Sequence, residues 1–186
     1  MEKSLIERCI RKEPKAQYEL YRALHPMMMG ICTRYERNKQ DAVATMNAGF
    51  LKILERIGER RPEVPFDAWA RRIMINTVID AFRRNKERKT TESHEAPLES
   101  VDQSDANDYL KYMEAEAFAD LLLRLPPVSR NVFNLFAVDG YSHAEIATML
   151  GMSEGTSKWH VNHARSILQR TILEMAHSRS ATLAVK

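Results

Sequence analysis

Apolar residues recur at intervals of three and four along nearly the whole chain, and no stretch of strict alternation rich in β-branched residues interrupts them. The pattern predicts an all-α fold. A first helical region covers about residues 4 to 57, including AQYELYRALHPMMMGICTRYER and DAVATMNAGFLKILERI, with Pro14 and Pro26 as helix starts or local interruptions. Met27, Met28 and Met29 read as core filler, because an unbranched thioether fits irregular gaps. GERRPEVPFD, residues 58 to 67, holds a glycine and two prolines and reads as a loop, and a long helix follows it from about Asp67 to Lys86.

The periodicity fails over TTESHEAPLESVDQSDAND, residues 90 to 108, which is polar, acidic and free of aromatic residues. That composition predicts a flexible linker, and so two small helical domains, 1 to 89 and 109 to 176, followed by a frayed tail over 177 to 186. The second domain reads as four helices, about 109 to 124, 127 to 138, 142 to 150 and 154 to 176. Pro126 and Pro127 separate the first pair, Gly140 ends the second helix, and Ser142 with Glu145 forms a capping box for the third. Gly151 supplies a turn and Ser153 caps the last helix.

With 44% hydrophobic residues in 186, the chain has enough apolar material for two cores. No run approaches the roughly eighteen uninterrupted apolar residues of a membrane span, and MEKSLIERCIRKEPK lacks the apolar centre of a signal peptide. A cytoplasmic chain without membrane insertion is expected. Cys9 and Cys32 lack CxxC spacing and read as packing residues. The net charge of +3 conceals an asymmetry: residues 1 to 90 carry +8, 91 to 126 carry −7 and 127 to 186 carry +2. A basic first block fits either a polyanionic partner or a solvated charged surface.

EIATMLGMSEGTSKWHVNHAR, residues 145 to 165, pairs two short helices across a glycine turn, with Ile146, Ala147 and Leu150 set to face Val161, Ala164 and Leu168. This is the pattern of a helix-turn-helix, though short helix pairs also serve as plain packing units. With Val161, Ala164 and Leu168 buried, 100° steps put Trp159, Asn162, His163 and Ser166 on the opposite face, flanked by Thr156 and Lys158. An outward tryptophan among hydrogen-bonding residues fits a major groove. The rival reading, a metal site on His160 and His163, has no evident third ligand.

In FDAWARRIMINTVIDAFRR, residues 66 to 84, Met74, Ile75, Val78, Ile79 and Phe82 share one face, and Trp69, Arg72, Asn76, Asp80, Arg83 and Arg84 gather on the other. Interleaved aromatic and basic groups suit single-stranded nucleic acid, since bases stack on rings while arginines meet phosphates. An ordinary amphipathic helix, with Asp80 paired to Arg83 or Arg84 and Trp69 packed under a neighbour, fits the same pattern.

Together the two segments resemble the group IV, or extracytoplasmic-function, sigma factors of bacterial RNA polymerase. Phe66, Trp69, Ile73, Asn76, Asp80 and Arg83 match the family's F-x-x-W-x-x-x-I-x-x-N-x-x-x-D-x-x-R run of region 2, while LPP at 125 to 127, EIA at 145 to 147 and SEGT at 153 to 156 are similar to region 4. The resemblance covers nearly the whole chain. It implies a dissociable initiation subunit with no catalytic residue, cofactor or metal, whose partners are core polymerase (β′ clamp helices and β flap) and promoter DNA, with an anti-sigma factor as a frequent further partner. Region 2 would open and read the minus-ten element through Arg60, Arg61, Phe66, Trp69, Arg72, Asn76, Asp80, Arg83 and Arg84, the loop 58 to 66 and Asn76 holding a flipped base. Region 4 would read the minus-thirty-five element through Thr156, Lys158, Trp159, Asn162, His163 and Ser166. DAVATMNAGFLKIL aligns with the polymerase-binding region 2.2, which would place Asp41, Asn47, Phe50, Leu51, Ile53 and Leu54 at the clamp helices. The acidic linker would lie in the channel through which RNA leaves the polymerase.

The chain departs from the family at three places. Ala44, Asn47 and Ala48 stand where region 2.2 carries an acidic residue and a Gln-Glu pair, so the polar share of that contact does not carry over. Ser157 replaces a buried valine, with an expected loss of stability, and KWHVNH replaces an arginine-rich reading face, so the promoter sequence is not inherited. Two other functions fit the sequence less well. A conventional helix-turn-helix regulator would bind duplex DNA without polymerase and carry a sensor or receiver domain, whose βα alternation residues 1 to 90 lack; an enzyme would need a nucleophile, carboxylate pair or phosphate loop, and none is evident.

Overall fold

The computed structural model describes residues 2–88 and 115–183, with side chains described over 2–85 and 117–175. The chain divides into two units, Met1–Thr90 and Thr91–Lys186. The expected linker, 90 to 108, and the start of the helix expected from 109 lie outside the described residues. All regular elements among the described residues are helical.

The first unit holds α1 (Lys3–Ile10), α2 (Pro14–Tyr35), α3 (Lys39–Arg56), a 3₁₀ turn (Ile57–Glu59) and α4 (Phe66–Arg88). Pro14 sits in the first turn of α2, where its missing N–H leaves no bond unmade. Pro26 lies inside α2 without ending it. Between α1 and α2, Arg8 Nε meets Glu13 at 2.9 Å and Arg8 Nη1 meets Glu19 at 3.2 Å, with Arg11 adding a second contact to Glu13 at 3.0 Å. The hydrogen bond from Arg8, with a second from Arg11, holds the Glu13 carboxyl below its ordinary range. Asn38 caps α3 by accepting from the Gln40 N–H at 2.8 Å.

Burial in α2 follows one stripe, Ala16, Leu20, Leu24, Met28, Ile31, Cys32 and Tyr35. It meets Ala42, Met46 and Ile53 of α3 and Ala70, Met74, Ile75, Val78 and Ile79 of α4 in a core of three mutually contacting helices, with α1 laid against α2. Of the three consecutive methionines Met28 is fully buried, while Met27 and Met29 are half-buried. Gly49 of α3 leaves room for a side chain of α4: a β-carbon there would lie 2.3 Å from Met74 Sδ and 2.7 Å from its Cε.

The second unit holds α5 (Ala115–Leu123), α6 (Pro127–Phe133) continued by a π-helical segment (Asn134–Val138), α7 (His143–Leu150) and α8 (Glu154–Leu183). Its core joins Leu121, Leu122 and Leu125 to Phe133 and to Ala164, Leu168 and Ile172 of α8. The capping box is present, with Ser142 Oγ accepting from the Glu145 N–H at 3.3 Å while the Ser142 N–H donates to Glu145 Oε2 at 2.9 Å. Gly151 turns the chain at φ 65°, ψ 47°, a left-handed conformation that only glycine adopts without strain. Ser153 Oγ then accepts from the Thr156 N–H at 3.0 Å and starts α8. α8 is assigned as far as Leu183, into the segment expected to fray from residue 177.

Candidate nucleic-acid interface

On α4 the solvent side carries Arg71, Arg72, Asn76, Asp80, Arg83 and Arg84, all exposed, with Trp69 half-buried at the helix start. Phe66 is a correction to the expected interface: at 6% exposure it belongs to the core, and its ring meets Trp69 at 5.6 Å with planes tilted 47°. It supports the tryptophan from below and has no surface to offer a base. Arg60 also has a different task from the one expected. Its Nη1 donates to the carbonyls of Arg61 (3.2 Å), Pro62 (3.3 Å) and Val64, so the guanidinium gathers the loop that precedes α4. Arg61 stays exposed. Asp80 pairs with Lys52 of α3 at 3.2 Å and not with Arg83 or Arg84, which leaves those two arginines outside that ion pair. Arg71 is an exposed cation that the helical-face reading passed over, although it neighbours Arg72.

The outer face of α3 presents Asp41, Ala44, Asn47, Ala48 and Leu51, with Leu51 56% exposed. Phe50 and Leu54 are half-buried, and Phe50 makes an edge contact to Tyr21 at 5.1 Å. Ile53 is the second correction, being fully buried against α4 and α2. Apart from Asp41 this face is uncharged, in keeping with Ala44, Asn47 and Ala48 standing where the family carries an acidic residue and a Gln-Glu pair.

On α8, Lys158, Asn162 and Arg165 are exposed, while Thr156, Trp159 and Ser166 are half-buried. Arg165 was missed: it stands three residues after Asn162 and seven after Lys158, the spacing of one helical stripe. Thr156 shares its hydroxyl with Ser153 at 2.8 Å, and Ser166 donates to the Asn162 carbonyl at 3.1 Å. His163 is the third correction. It is 6% exposed, its Nδ1 lies 3.2 Å from Ser129 Oγ, and its ring stacks on Trp159 with centroids 4.7 Å apart and planes at 23°. It faces α6 and not a groove. Ser157 is buried too, yet its hydroxyl lies 2.9 Å from His143 Nδ1, so the polar group that replaces an apolar one has a partner. The His143 ring in turn stacks on Phe136 at 4.4 Å. His160 Nδ1 is also taken up by Ser129, and among the described residues no group of three or more metal-binding side chains comes together.

No helix among the described residues is long and apolar enough to cross a membrane. Comparison with known proteins gives the two units separate matches: residues 20–88 fit the family described as Sigma-70 region 2, and residues 115–168 fit Sigma-70, region 4. The extracytoplasmic-function RNA polymerase sigma factor SigM of Mycobacterium tuberculosis is 30% identical over 154 residues, covering 83% of this chain and 76% of SigM. SigL of the same species is 28% identical over 170 residues, covering 88% of this chain and 95% of its own. Among solved structures, sigma factor RpoE of Bartonella quintana, crystallised with the anti-sigma factor NepR, superposes with a TM-score of 0.51 at 16% identity over 83% of this chain and 95% of that one.

Proposed function

The chain belongs to the extracytoplasmic-function sigma factors of RNA polymerase, and we propose from the geometry above which residues carry each part of that work. It binds core RNA polymerase and directs initiation at promoters. We place that action in the cytoplasm, where the polymerase works.

The observation that carries the residue assignment is the exposed face of α4, with Trp69, Arg72, Asn76, Arg83 and Arg84 beside a loop drawn together by Arg60. Extruding a base from duplex DNA costs a few kcal/mol of lost stacking, so a site already in shape is needed to capture it. The Arg60 bonds give the loop such a shape before DNA arrives, Trp69 offers a ring for stacking, and the arginines meet backbone phosphates. Phe66 and Ile53 act by holding these helices in place. The α3 face, from Asp41 through Asn47 to Leu51, is the surface for the polymerase clamp, and an anti-sigma factor covering Leu51 would compete for it. Region 4 reads the minus-thirty-five duplex with Trp159 and Asn162, while Lys158 and Arg165 hold its phosphates.

Asn76→Ala tests the α4 assignment. With holoenzyme on duplex promoter, permanganate reactivity of unpaired thymines should fall by about tenfold, the scale of one lost base contact, while closed-complex formation is kept. A premelted bubble template should restore much of the loss. Wild-type opening by Asn76→Ala on duplex DNA would remove the residue from the melting step.

A further inference from the structure

We propose that Ser129, on the helix before the helix-turn-helix, is a positioning residue for base recognition, acting through His160 and His163 on Trp159. This deepens the reading of α8 as the minus-thirty-five helix and rests on it. Ser129 is 1% exposed and cannot itself meet DNA. Its Oγ lies 2.9 Å from His160 Nδ1 and 3.2 Å from His163 Nδ1, bringing together two rings from successive turns of α8. A hydroxyl has one hydrogen to give, so it can serve as donor to one of these nitrogens at most. At least one histidine must therefore carry its proton on Nδ1 and donate to the serine oxygen. The serine thus restricts the tautomers as well as the orientation of the pair.

Both rings then bear on the indole. Trp159 stacks on His163 at 4.7 Å with planes at 23°, and meets His160 edge-on at 4.8 Å and 77°. A half-buried tryptophan on a helix surface has several staggered side-chain states open to it. Here one face is occupied and one side is blocked, by rings that are pinned from a different helix. The indole is held in one orientation before it meets a base, so less ordering is left for the moment of binding. Removing the Ser129 hydroxyl takes away the hydrogen-bond partner the two histidines share and loosens the hold on the indole without touching any DNA contact directly.

The test uses the full chain in holoenzyme with core polymerase, and a pool of promoter duplexes randomised over the minus-thirty-five positions, with the bound fraction sequenced. Trp159→Ala defines which bases the indole reads. Ser129→Ala should lose roughly tenfold of preference at those same bases, the discrimination of about one base contact, while binding to a scrambled duplex is unchanged. Ser129→Cys keeps the shape with a somewhat larger atom but bonds weakly; it should behave in the same way and carries the test if the alanine variant does not fold. In the full chain labelled with 5-fluorotryptophan, the fluorine resonance of Trp159 should shift or broaden in both variants and that of Trp69 should not. Wild-type base preference in a folded Ser129 variant, with the preference lost in Trp159→Ala, would overturn the proposal and leave the reading intact. A Trp159→Ala protein that keeps every base preference would instead overturn the reading itself, and the positioning role with it.

Discussion

Burial keeps Cys32 protonated: it is fully buried at the centre of the first unit, and the loss of hydration raises its thiol from 9.0 to about 12, with Glu36 adding to the effect. Because the folded chain then holds a proton that the unfolded chain releases, this group's contribution is whole below about pH 9 and is lost as pH rises from 9 towards 12. Cys32 should resist iodoacetamide at neutral pH in the native protein and react at an ordinary rate in denaturant; rapid native labelling would show that the core opens easily. On α8, Lys158 and Arg165 are exposed basic side chains. Lys158→Ala and Arg165→Ala should each reduce the salt slope of promoter binding by about 0.9, one counterion apiece, without altering base preference. A changed base preference with an unchanged slope would move these residues from phosphate to base edge. The residues misplaced by periodicity alone are instructive at this scale. His163 lies at the edge of the arc that a helical wheel assigns to solvent, and what buries it is Ser129, 34 positions earlier in the chain. Phe66 and Ile53 differ from it: each sits on the buried stripe of its own helix, Ile53 with Ala42, Met46 and Gly49 and Phe66 with Ala70 and Met74, a spacing the sequence does carry.

At the level of elements, what could be read from the sequence was what local chemistry decides. The capping box of Ser142 and Glu145, the Ser153 cap and the glycine turn at 151 are each written within four residues, and each is present. The extent of α8 was not legible, since its polar end has no stop signal as sharp as the glycine at 151. Gly151 ties α7 to α8 through a left-handed turn, followed by a Met152 N–H bond to the Ala147 carbonyl at 3.0 Å. Gly151→Ala puts a β-carbon in that conformation and should destabilise the second unit by about 1–2 kcal/mol, read as a lower chemical-denaturation midpoint at unchanged slope. An unchanged midpoint would mean that the turn relaxes freely. Ser157 shows why a departure from a family pattern need not cost stability: the same fold that replaced an apolar side chain brought His143 to its hydroxyl at 2.9 Å.

Across the whole molecule, charge and chemistry are divided between the two units. The strongly basic first 90 residues include the arginine-bearing helix α4, and the mildly basic last 60 place few charges but several hydrogen-bonding groups on α8. This chain directs initiation together with core polymerase, as its family does. The measurement that tests this most directly is run-off transcription on fragmented genomic DNA with purified core polymerase, with and without the chain, and with start sites mapped by sequencing. The account predicts discrete start sites that appear only when the chain is added, preceded by two shared sequence elements, and that are lost with Leu51→Glu, which places a charge on the α3 face proposed to meet the polymerase. Transcription no different from core polymerase alone, or start sites that require another sigma factor to be present, would contradict it.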